Sequence, residues 1–219
     1  MIDERDKAIL HAWTVNADAW THAVRSGTIA SRERATNAAI RSVMRQLKPR
    51  SVVDLGCGEG WLCRALAREG IRATGVDAIP ALIEQARRAD PCSAYHCATY
   101  DELATLRLQT DVVVFNFSLF AEALSATLRA ARALLGPDGV IVVQTLHPWF
   151  AGVKAYRDGW HTEHFEEFGG AFKAGMPWYF RTLTSWHEAF ANVGLVVREV
   201  CEPLDVTRAL PLSVIFVCR

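Results

Sequence analysis

Short β-branched runs alternate with helical segments through the middle of this chain, and that alternation restricts its fold more than any other feature. SVVDL (51–55), IRATGVD (71–77), SAYHCA (93–98), DVVVFNF (111–117) and VIVVQTL (140–146) read as strands. WLCRALAREG (61–70), PALIEQARRAD (80–90) and AEALSATLRAARALL (121–135) read as the helices between them, the last closed by GPDG at 136–139. Strand–helix alternation implies a parallel sheet with helices on both faces. Residues 147–180 break the pattern with glycines, aromatics and mixed charge. A helix over TSWHEAFANVG (184–194) and two strands, LVVREVCE (195–202) and LSVIFVCR (212–219), complete the chain. The nine residues 203–211 are too few for a parallel crossover, so the last strand is expected to run antiparallel. The expected fold class is therefore α/β: a doubly wound, seven-stranded, mostly parallel sheet with an antiparallel last strand.

With 219 residues, one domain is expected. Residues 1–47 would form an N-terminal helical cover, 48–146 the core, 147–181 an aromatic insert and 182–219 the closing helix and strands. Lys+Arg and Asp+Glu balance at 24 each, and no basic run offers a grip on phosphates, so nucleic acid is not an expected partner. The charged start MIDERDKAIL is unlike a secretory leader, and no stretch has the length of a membrane span. The six cysteines form no C-x-x-C pair, which fits reduced thiols and a cytoplasmic setting. A His-x-x-His at 161 and 164 is a poor metal signal, and no metal is expected. Nothing in the sequence indicates an oligomeric state.

Behind the first strand the chain reads DLGCGEG, with glycines at 56, 58 and 60. Glycine is costly beside a buried strand unless the backbone must turn tightly or meet a ligand. Ligands bind open parallel sheets at the carboxyl ends of the strands. The loop departs from the dinucleotide pattern G-x-G-x-x-G, because Gly60 comes one residue early. Asp77, closing the second strand seventeen residues later, suits the two hydroxyls of a ribose. The plain alternatives are a loop cap for Asp54 and a helix N-cap for Asp77.

DLGCGEG followed by TGVD resembles the first two motifs of class I S-adenosylmethionine-dependent methyltransferases, over roughly residues 48–146 and, by architecture, 182–219. The resemblance implies the Rossmann-like sheet of that family, S-adenosyl-L-methionine as cofactor and S-adenosyl-L-homocysteine as its product. It places Gly56, Gly58 and Gly60 along the methionine part, Asp54 near its amino group, Asp77 on the ribose, and Ala78 and Ile79 beside the adenine. Thr99 stands where the family often has an acid that meets the adenine amino group; Tyr100 and Asp101 are the other candidates there. Asn116, Phe117 and Ser118 match the wall beside the departing methyl group. Trp20 and Arg32, from the N-terminal helices, are expected over the cofactor, Arg32 towards its carboxylate.

On the acceptor side His147, directly after the fifth strand in TLHPWF, is the candidate general base and substrate contact. Trp149, Phe150 and Tyr179 belong to an insert rich enough in aromatics to wall an apolar pocket. Arg181 would anchor an anionic group or pair with a surface acid. The expected reaction is methyl transfer to an oxygen or nitrogen of a small molecule. A non-catalytic binder of the same cofactor, or a nicotinamide-dependent oxidoreductase, are the competing readings.

Overall fold

The computed structural model describes residues 4–149, 151–168, 171–205, 207 and 209–219. The chain opens with α1 (Glu4–Ser26), a π-helical turn (Arg32–Thr36) and α2 (Asn37–Leu47). There follow β1 (Ser51–Leu55), α3 (Trp61–Arg68), β2 (Arg72–Asp77), α4 (Pro80–Ala89) and β3 (Ala94–Cys97). A 3-10 segment (Tyr100–Leu106) leads to β4 (Thr110–Asn116), α5 (Ser125–Arg132) and β5 (Leu135–Leu146). Then come β6 (Gly159–Glu163), β7 (Met176–Phe180), α6 (Leu183–Ala191), β8 (Val197–Cys201), β9 (Leu204–Asp205), β10 (Leu210–Pro211) and β11 (Ser213–Cys218).

Among the described residues the main sheet has seven strands in the order β3-β2-β1-β4-β5-β11-β8. β1 pairs in parallel with β2 and β4, and β4 with β5. β11 runs antiparallel to both β5 and β8, as the short connection before it requires. Side chains alternate between the two faces with the two-residue period of a strand. Val53, Val113, Phe115, Ile141, Val143 and Phe216 pack towards α5 and α6. Val52, Val112, Val114, Val142, Ile215 and Val217 pack towards α2, α3 and α4.

Two details differ from the sequence reading. GPDG does not close a helix: β5 starts at Leu135 and runs through it, with a register shift against β4 between Thr110 and Val112. The insert is not irregular throughout, because β6 and β7 form an antiparallel ribbon pairing Gly159–Glu163 with Phe180–Met176. Its strands mix aromatic, charged and small residues on both faces, so no apolar period marks them. Among the described residues no helix is long and apolar enough to cross a membrane.

Candidate active site

The loop between β1 and α3 shows what its glycines are for. At Gly56 (φ +75°) an added Cβ would lie 2.3 Å from Ser118 Cβ, so the strand ends of β1 and β4 meet only because it is absent. At Gly60 (φ +81°) it would lie 2.8 Å from the Tyr95 ring. Ser118 Oγ donates to the Leu55 carbonyl at 2.6 Å, and Phe117 N to the Gln144 carbonyl at 2.8 Å, which ties this corner to β1 and β5. Phe117 pays for the corner with a left-handed φ of +56°, the kind of local strain that clusters at binding sites.

A cavity of about 350 Å³ opens above these strand ends, lined by Asp54, Gly56, Gly58, Asp77, Ala78, Ile79, Thr99, Tyr100, Asp101, Asn116, Phe117 and Ser118. Asp77 accepts from Gly58 N at 2.8 Å and from Ile79 N at 2.9 Å, one bond per carboxylate oxygen. Each oxygen keeps a lone pair for another donor. Burial raises the Asp77 carboxyl above its ordinary range, and the backbone amides work against that. Burial pushes Asp54 up to about 7, with the Asp77 charge adding to it. Burial lowers the Arg32 guanidinium to about 10, with Glu59, Glu33 and Asp54 opposing, so it stays charged at neutral pH.

Asp54 Oδ1, Arg32 Nη2 and Asn116 Oδ1 are buried without a hydrogen-bond partner, and all three residues line this cavity. An unpaired buried polar atom costs about 1–3 kcal/mol. A carboxylate without a donor and a guanidinium without an acceptor are complementary to the ammonium and carboxylate of an amino-acid group.

The cover comes from α1 and the insert. Trp20 lies over the glycine loop, close enough that a Cβ on Gly58 would sit 3.3 Å from its Nε1. Trp13 meets Trp20 edge to face at 5.0 Å, and Arg32 lies over Trp61 at 4.7 Å. Glu59, in the glycine loop, is buried between Arg25 of α1 and Arg64 of α3, each at 2.7 Å. Asn16 accepts from Lys173 N and donates to the Ala174 carbonyl, both at 2.7 Å, pinning α1 to the insert.

Beside the first cavity lies a second of about 120 Å³. Trp13, Trp20, Arg32, Phe117 and Phe120 line both. The rest of its wall includes Phe165, Trp178, Tyr179, Phe180, Arg181 and Glu163, the last being the carboxylate on this wall among the described residues.

A family model described as a methyltransferase domain matches residues 30–200. The chain belongs to this methyltransferase domain family. A ubiquinone biosynthesis O-methyltransferase of Azorhizobium caulinodans is 34% identical over 109 residues, 48% of this chain and 43% of that relative. The chain thus spans less than half the length of this curated relative. An S-adenosylmethionine-dependent methyltransferase structure from Mesorhizobium loti superposes with TM-score 0.63 at 22% identity, over 81% of this chain and 96% of that one. The 1,6-didemethyltoxoflavin-N1-methyltransferase of Burkholderia thailandensis, solved with 1,6-didemethyltoxoflavin and S-adenosylhomocysteine, superposes with TM-score 0.64 at 17% identity, over 96% and 89%. At these identities the two structures attest the fold.

Within this methyltransferase domain, most of the residues singled out from the sequence gather around the larger cavity; Gly60, His147, Trp149, Tyr179 and Arg181 do not. Gly60 is packed on Tyr95 behind the loop, away from the cavity wall. His147 is 2% exposed and lines neither cavity: Nε2 meets Glu202 at 2.8 Å and Nδ1 accepts from Trp149 N at 3.3 Å. β5 does deliver it to the carboxyl end of the sheet, but the ring is held towards Glu202, after β8, and not towards either cavity. Trp149 is 66% exposed and stacks on Tyr156 at 4.9 Å, outside both cavities. Phe150 lies outside the described residues. Tyr179 and Arg181 line the smaller cavity. Sequence reasoning missed Trp61, Phe120 and Glu163 as cavity-lining residues; the dipeptide Gly60-Trp61 was the visible signal for one of them.

Proposed function

We propose that this methyltransferase domain binds S-adenosylmethionine in the larger cavity and directs its methyl group to an oxygen or nitrogen of a small, largely apolar acceptor in the smaller one, releasing S-adenosylhomocysteine. The observation that carries the reading is the buried, unpaired pair Arg32 Nη2 and Asp54 Oδ1 on the wall of the larger cavity, matched to the methionine carboxylate and ammonium. Asp77, with a lone pair left on each oxygen, takes the ribose hydroxyls. Ala78, Ile79 and Leu82 supply an apolar wall for the adenine, and Thr99, Tyr100 and Asp101 its polar margin. When bound, the cofactor's sulfonium supplies a methyl carbon that the acceptor attacks in line, sulfur keeping the electrons of the broken C–S bond.

The chain's share is alignment and exclusion of water. Trp13, Trp20, Phe117 and Phe120 stand where the two cavities meet and fix the acceptor's approach. Glu163, on the wall of the smaller cavity, takes the acceptor's proton. Its Oε1 accepts from Phe165 N at 2.6 Å, which orients the carboxylate. The cover, made by the described parts of 1–47 and 147–181, closes over both. A small-molecule acceptor follows from the size of the second cavity. The non-catalytic alternative has no use for that second cavity. A cytoplasmic setting fits the six unpaired cysteines.

The test is calorimetric titration with S-adenosylhomocysteine and, separately, NADH. Micromolar binding of the first, weakened at least tenfold by Asp77→Asn with the thermal transition retained, is expected. Binding of NADH alone, or no binding of S-adenosylhomocysteine, would overturn the proposal.

A further inference from the structure

Arg181 is one of three charged residues, with Arg32 and Glu163, on a wall that is otherwise mostly apolar. It follows β7, is 4% exposed, and lines the smaller cavity. Its Nη2 donates to the carbonyls of Ala121, at 2.7 Å, and Glu122. Its Nη1 is buried with no partner. Tyr179 and Trp186 flank the guanidinium at 4.8 and 5.2 Å. Among the described residues no carboxylate lies within ion-pair distance of it. The two acids whose charges act on it, Asp158 and Glu122, have other partners: Asp158 Oδ1 accepts from Thr182 N at 2.8 Å and Glu122 Oε2 from Trp160 Nε1 at 3.1 Å. A purely structural role, orienting residues 121 and 122, accounts for Nη2. It leaves Nη1 unexplained, and a buried guanidinium without an anion is costly.

The cavity's size and wall say what kind of anion fits. A dry cavity of roughly 150 Å³ holds a benzene ring. This one, at about 120 Å³ and walled by Phe117, Phe120, Phe165, Trp178 and Phe180, has room for no more than one ring. With Arg32, Arg181 and Glu163 all on the wall, a singly charged carboxylate brings its formal charge to zero. A doubly charged phosphate would leave excess negative charge in an apolar chamber that already carries Glu163. Arg181 lines the smaller cavity and not the larger, so an anion on it sits within the smaller one.

We propose that the smaller cavity takes a single-ring aromatic carboxylate, its carboxylate held by Arg181 and its methyl-accepting hydroxyl or amine turned towards the wall shared with the larger cavity. The orientation rests on the methyl-transfer reading above; the carboxylate site itself does not.

The test titrates the whole chain with hydroxybenzoates and aminobenzoates and, in parallel, their neutral amides, with and without S-adenosylhomocysteine. Tryptophan fluorescence is the readout, since Trp13, Trp20, Trp178 and Trp186 line the cavity. At least one acid is expected to bind about 10- to 100-fold tighter than its amide. Arg181→Gln should abolish that preference, Arg181→Lys should restore part of it, and S-adenosylhomocysteine affinity should stay within about twofold throughout. Equal binding of acid and amide, no binding of any acid at millimolar concentration, or a preference that survives Arg181→Gln would overturn the proposal. If Arg181→Gln fails to fold, the acid–amide comparison in the unaltered protein decides alone. A preference for acids without S-adenosylhomocysteine binding would sink the methyl-transfer reading and leave the carboxylate site standing; S-adenosylhomocysteine binding without the preference would do the reverse.

Discussion

The two sides of the paired cavities are built in opposite ways. On the sheet side, Asp54, Asp77 and Asn116 stand at or near the ends of β1, β2 and β4, three strands joined by regular parallel ladders. On the cover side, α1 and the insert meet through contacts such as Asn16 to Ala174, 158 residues apart in the chain. The first side is fixed by backbone pairing and steric limits on a few small residues. The second depends on individual side chains brought together from distant segments. A cofactor common to many enzymes suits the first kind of construction. An acceptor particular to one enzyme suits the second, whose wall changes with single substitutions while the sheet stays intact.

The largest effect should come from breaking the sheet side. Gly56→Ala sets a Cβ 2.3 Å from Ser118 Cβ on a backbone at φ +75°. We expect a loss of about 3 kcal/mol or more in stability and no measurable S-adenosylhomocysteine binding, read by denaturant unfolding and calorimetry.

An intermediate effect follows from Asp54, whose carboxyl burial holds near 7. Between the ordinary carboxylate value and about 7 the folded protein binds a proton here that the unfolded chain does not. This group's contribution to ligand-free stability is therefore full at acid pH and is lost as pH rises through about 7. Cofactor affinity runs the other way, because an ammonium favours the carboxylate. S-adenosylhomocysteine binding should weaken by up to about tenfold per pH unit below 7 and level off above it. Asp54→Asn should flatten that profile.

The smallest effect in the global transition should come from the cover. Asn16→Ala removes the side chain that pins residues 173 and 174 to α1. A cost of about 1–2 kcal/mol is expected, read as faster hydrogen exchange and proteolysis in the insert with the sheet unchanged. If the sheet loosens equally, the two sides are not independent.

The same contrast explains what could be read from the sequence. β1, its glycine loop and Asp77 are contiguous patterns with a local cause, so the parallel sheet with its antiparallel last strand and the sheet-side wall of the larger cavity were legible. His147 shows the limit. Its position at the carboxyl end of β5 was readable, but the direction of its ring depends on Glu202, which follows β8. Glu163 was hidden for the related reason that its placement depends on the ribbon β6–β7, whose strands carry no apolar period. Gly60 looked like its neighbours in sequence, yet an added Cβ there would meet the Tyr95 ring, which comes from β3.

The most direct measurement is transfer of an isotope-labelled methyl group from S-adenosylmethionine to the hydroxy- and aminobenzoate panel, with products identified by mass spectrometry. The account predicts a labelled methyl on oxygen or nitrogen of at least one acid, the aromatic carboxylate left free, and sharply less product with Glu163→Gln. Firm cofactor binding with no transfer to any member, or methyl found on the carboxylate itself, would contradict it.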